Sequence, residues 1–71
     1  MIPVTQQEIV QKLASVCELS PGVRLGQLMS HLDFLSQDMF DQGLGDIEDD
    51  QLLQVLKRHE TELSQRHSNV A

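Results

Sequence analysis

The chain has 71 residues, of which 39% are hydrophobic and 23% charged, with a formal net charge of −6. A chain this short forms one domain at most, with a small core, because folding removes only about 60% of the surface its unfolded form exposes. Seven of its eleven acids (Asp33, Asp38, Asp41, Asp46, Glu48, Asp49, Asp50) fall between residues 33 and 50, where there is no Lys or Arg, and the five bases form no stripe. This charge distribution repels phosphates and argues against nucleic-acid binding.

The apolar residues are mostly Leu, Val, Ile and Met, with no Trp or Tyr, a composition that favours helix over sheet. Cys17 is the only cysteine, so no internal disulfide can form. The opening "MIPVTQQEIVQKL" has neither a basic start nor a continuous apolar core, unlike a secretion signal. Together these lead to the expectation of a cytoplasmic protein. No stretch approaches the roughly 18 consecutive apolar residues of a membrane span.

Thr5 can cap a first helix, with Glu8 completing a capping box and Val4 and Ile9 forming a hydrophobic staple. Ile9, Val10, Leu13, Ala14, Val16 and Cys17 then make a broad apolar face opposite Gln7, Gln11, Ser15 and Glu18. Pro21 and Gly22 end the helix near residue 18.

The second helix is expected over 23–40. Leu25, Leu28, Leu32, Leu35 and Met39 repeat at steps of three and four, the spacing of a core-facing stripe. Phe34 lies off that stripe, among Gln27, Ser30, Gln37 and Asp38. Two readings of it compete. In one, this helix is central, and Ile2 to Val4 or the glycine loop covers the ring. In the other, Phe34 is exposed and anchors a partner within a polar rim of Gln27, Ser30, His31, Gln37, Asp38 and Asp41, with Met29 and Phe40 widening the patch.

"DQGLGD" breaks the chain at Asp41–Asp46, and a third helix over 47–64 follows, capped by Asp46 or Glu48. Acids in its first turn suit the partial positive charge of a helix N-terminus. Leu52, Leu56 and Leu63 form its stripe, widened by Leu53 and Val55. Arg24, placed where the second helix's dipole disfavours a cation, either pairs with carboxylates of the third helix's first turn, Glu48 and Asp49, or stays solvated. The fold expected is all-α: a compact bundle of three short amphipathic helices. A single domain spans 1–65, with a frayed tail at 66–71. Its core is Leu13, Cys17, Leu25, Leu28, Leu32, Leu35, Leu52, Leu56 and Leu63.

Site chemistry is sparse. A calcium loop starting at Asp41 would place Gly43, Gly45 and Leu52 at its third, fifth and twelfth positions, and one starting at Asp38 would place Phe40 and Gln42 at its third and fifth; both fail. No nucleophile motif surrounds any Ser, Cys or His, so no catalytic residue is assigned and the protein is read as a non-enzyme. His59 falls within the third helix's apolar stripe and shares a face with Glu62, but two ligands are too few for a structural zinc site. No metal ligand set and no cofactor are assigned.

The motifs "RLGQL" (Arg24–Leu28) and "DIEDDQLL" (Asp46–Leu53) together resemble a pattern found in small bacterial helical proteins of unassigned function. The resemblance implies a compact helical domain of bacterial, cytoplasmic origin and transfers no functional residue. The function expected is a small protein-interaction module. It would either self-associate as a homodimer through the second helix or dock a basic partner through the acidic 33–50 region. The alternative is a metal- or small-ligand-binding protein using His31, His59 and nearby carboxylates. A third possibility, resting on the acidic cluster alone, is a regulator that mimics nucleic acid.

Overall fold

The computed structural model describes residues 1–69, with side chains through Arg66. Three helices follow one another, α1 (Val4–Leu19), α2 (Leu25–Phe40) and α3 (Asp49–Asn69), with no strand among the described residues. The all-α bundle expected from the leucine spacing is the observed fold. α3 is its central element, packing against both α1 and α2. Contacts of Gln6 with Asp49 and of Lys12 with Glu60 show that α1 and α3 run side by side in the same direction.

The core comprises Val16 of α1, Leu28, Leu32 and Leu35 of α2, and Val55, Leu56 and Leu63 of α3. Ile9, Leu13, Met39, Leu44, Ile47 and Leu52 close over it from the periphery. Of the expected core residues, Leu13 and Leu52 sit at this periphery and two more are exposed. Cys17 is exposed, because α1 has one main neighbour and buries the narrow stripe of Ile9, Leu13 and Val16. Val10, Ala14 and Cys17, about a third of a turn away, remain in solvent. Leu25 is exposed as well, since the first residue of α2 precedes the part of the helix that reaches α3.

The helix ends also differ from expectation. α1 begins at Val4 with Pro3 in the capping position and no side-chain cap, so Thr5 lies inside the helix and the expected capping box is absent. Val4 is exposed and forms no staple. Gln7 instead ties the start down, donating from Nε2 to the Ile2 carbonyl at 2.8 Å. α2 starts two residues later than expected, with Arg24 as its cap and the Gln27 Oε1 accepting the Arg24 backbone N–H at 3.3 Å. Glu48 precedes α3, where Gln51 plays the same part for the Glu48 N–H at 2.9 Å. α3 continues past residue 64 to Asn69, through much of the expected tail; Val70 and Ala71 lie outside the described residues.

The loop between α2 and α3 is held by α2 itself. Asp41 ends the helix in the left-handed conformation at φ 57°, which its short polar side chain tolerates better than most. Ser36, fully buried, donates from Oγ to the Gln42 carbonyl at 2.7 Å. Asp33 accepts the Leu44 N–H at 2.7 Å on one oxygen and the Gln37 side-chain amide at 2.8 Å on the other. A Cβ at Gly43 would lie 3.3 Å from the Asp33 carboxylate, so this close approach favours glycine.

Candidate functional site

Because α3 rather than α2 is central, the outward face of α2 has no neighbour among the described residues. Phe34 is 67% exposed on it. Ile2 and Val4 are themselves exposed, and Leu44 of the loop packs against the core. The covered reading of Phe34 is therefore overturned. Its one aromatic neighbour among the described residues is His31, one turn earlier, whose ring is near parallel at 17° with the centroids 6.4 Å apart.

His31 leads inward to α3. Its ring centroid lies 4.6 Å from that of His59, which occupies the place in the stripe Leu52, Leu56, His59, Leu63 where a further leucine would fit. His59 is only 6% exposed. Its Nδ1 is buried without a hydrogen-bond partner and faces the Glu62 Oε2 at 3.9 Å, beyond hydrogen-bonding reach. Burial, followed by the nearby His31, pushes the His59 imidazole below its ordinary pKa of 6.5, since both disfavour the protonated ring.

Arg58 organises the surroundings. Its Nε donates to the Glu62 Oε1 and its Nη1 to the Asp38 Oδ2, both at 3.0 Å, joining α3 to α2. These two carboxylates raise the guanidinium pKa. Asp38 is thus committed to an ion pair, Gln37 to Asp33, and Asp41 to the helix end, while Phe34 and His31 carry the exposed aromatic surface. Glu62 also leaves Oε2 free of Arg58.

The other expected pairing does not form. Among the described residues no ion pair joins Arg24 to Glu48 or Asp49; Asp49 accepts instead from the Gln6 side chain at 3.1 Å. On the opposite side, Glu8, Gln11, Lys12, Ser15 and Glu60 line a partly open cleft of about 270 Å³ between α1 and α3. Its walls are joined by the Lys12–Glu60 pair at 2.8 Å. Hydrogen bonds from Lys12 and Ser15 hold the Glu60 carboxyl below its ordinary range. Sequence reasoning missed this pair and the Arg58 bridge, because one-dimensional periodicity does not give the relative height of residues on neighbouring helices.

These features define a small all-α three-helix domain with an aromatic–acidic face on α2 and a histidine pair between α2 and α3. No protein-family model, curated protein or solved structure matches the chain. No described helix is long and apolar enough to cross a membrane.

Proposed function

We propose that this domain is a non-enzymatic protein-interaction module that docks a partner bearing a basic surface onto the outward face of α2. The exposure of Phe34 carries this reading. In a chain with two phenylalanines and no other large aromatic, Phe40 is drawn against the core while Phe34 stays in solvent. A large apolar ring ringed by polar groups has the make-up of an interface anchor. His31 flanks it, and Gln37, Asp38 and Asp41 supply the polar rim.

Charge favours a basic partner over a second copy of this chain. Two copies meeting through α2 would bring one acidic 33–50 region against another, whereas a basic partner would be steered in by it. A single exposed thiol without a second cysteine suits a reducing, cytoplasmic setting. The acidic face suits neither nucleic acid nor an anionic membrane surface.

The test compares wild type with Phe34→Ala in capture from a lysate of the cells that make the protein, at low and high salt. Phe34→Ala should leave thermal stability unchanged, since the ring is exposed. It should also weaken a basic, salt-sensitive partner by about tenfold or more, as loss of an anchor does. An identical set of captured proteins for both would refute the docking face. A concentration-dependent dimer by sedimentation, dissolved by Phe34→Ala, would replace the basic partner with self-association.

A further inference from the structure

The histidine pair supports a second site, which shares His31 with the docking face but rests on observations other than the exposure of Phe34. An imidazole nitrogen from each of His31 and His59 and a carboxylate oxygen from Glu62 all lie within 4.8 Å of one another. The sequence achieves this from two helices. α3 supplies His59 and Glu62 at positions i and i+3, which share one side of a helix, and α2 brings His31 against them. Four-coordinate zinc, with bonds of about 2.0–2.1 Å, sets its ligand atoms about 3.4 Å apart. The His59 Nδ1 and Glu62 Oε2, at 3.9 Å, are already close to that spacing. His31 and Glu62, both half-buried, have side-chain freedom to close the remainder.

The decisive observation is the His59 Nδ1. A buried nitrogen without a hydrogen-bond partner costs free energy, and this one faces the free oxygen of a carboxylate that it does not reach. A cation between them would satisfy both. We propose that His31, His59 and Glu62 bind a borderline divalent transition-metal ion of the zinc type. Two imidazoles with one carboxylate suit zinc-like ions and are poor ligands for calcium or magnesium, which take oxygen. Arg58 fixes the Glu62 Oε1 at 3.0 Å and is itself anchored by Asp38, an outer support of the kind that orients metal-binding carboxylates. Three protein ligands leave a fourth position for water, and the acidic 33–50 region adds a favourable field for a cation.

The probe is Zn²⁺ alone, titrated calorimetrically into the full chain after treatment with chelator, with Co²⁺ absorption reporting coordination geometry. One ion should bind per chain and resist displacement by excess Mg²⁺. His31→Ala and Glu62→Gln, checked for helicity by circular dichroism, should each weaken binding by at least about tenfold, the loss typical of even an outer-shell partner. In the wild-type chain, Zn²⁺ should shift the imidazole ¹⁵N resonances of His31 and His59, a readout that needs no variant to fold. Absence of saturable 1:1 binding, or retention of affinity in either His31→Ala or Glu62→Gln, would overturn the proposal.

Discussion

Replacing His59 by leucine should stabilise the metal-free protein and destabilise it relative to wild type once zinc is added. The residue is 6% exposed and lies in the α3 stripe between Leu56 and Leu63, so leucine continues the apolar surface there. The unpartnered Nδ1 costs about 1–3 kcal/mol as a buried polar atom without a hydrogen bond. Against this, the ring contact with His31 at 4.6 Å contributes about 0.5–1.5 kcal/mol. His59→Leu removes both, for a net gain of about 1 kcal/mol. In a domain of this size that is a rise of about 4–8 °C in melting temperature. Thermal and urea unfolding with a chelator present measure it. Zinc at a hundred times its dissociation constant would then stabilise wild type by about 2.7 kcal/mol through mass action and leave His59→Leu unchanged, so the order of stabilities inverts. A His59→Leu protein less stable than wild type in chelator would refute the idea that the imidazole is held at a cost. If the order does not invert, the metal linkage fails.

Ser36→Ala should cost about 1–3 kcal/mol by urea unfolding, because the Ser36 hydroxyl, fully buried, holds the Gln42 carbonyl at 2.7 Å and its loss leaves that acceptor unpaired; a change under about 0.5 kcal/mol would show that water replaces it. Acid should destabilise the protein in two stages. His59 has a folded-state pKa below its ordinary 6.5, so the unfolded chain takes up the proton first, and stability present above about 6.5 falls as pH drops through that window to the folded value. Glu60 is held below its ordinary 4.5, so its contribution is present above 4.5 and is lost as pH falls through the lowered value. Melting temperature followed from about pH 8 to 3 reads both stages; His59→Leu should abolish the first and Lys12→Met should shrink the second.

The leucines at 28, 32, 35, 56 and 63 were legible in the sequence because each helix buries a stripe and steps of three and four mark it. The width of that stripe was not legible, since it depends on how many neighbours a helix has. α1 faces mainly α3, so Val16 is buried and Cys17, one residue on, is exposed. A helix flanked on two sides would have buried both. The same limit explains Phe34. Periodicity placed it on the polar side of α2, but whether that side was covered depended on which helix was central, and α3 took that position. The caps went astray for a local reason: Pro3, with its fixed φ, starts α1 before Thr5, and Gln27 and Gln51 support the other two starts from within the helix.

The histidine site shows a sharper limit. His59 was visible as a polar residue in an apolar stripe, Glu62 as its neighbour one turn on, and His31 as a partner only in the alternative reading, because spacing along the chain does not say whether the two histidines meet. The third ligand, His31, is 28 residues earlier in the chain. Its height relative to His59 is set by the loop that joins α2 to α3. Asp33 and Ser36 bind that loop's backbone at Leu44 and Gln42, which fixes where α3 begins against the end of α2, and Arg58 bridging to Asp38 repeats the constraint nearer the site. A shift of one helical turn, about 5.4 Å, would carry His59 out of reach of His31 while leaving every leucine stripe intact. Hydrophobic burial alone therefore selects the three-helix arrangement but not this register; the polar clamps on the loop select it, and through it the geometry on which the two imidazoles meet.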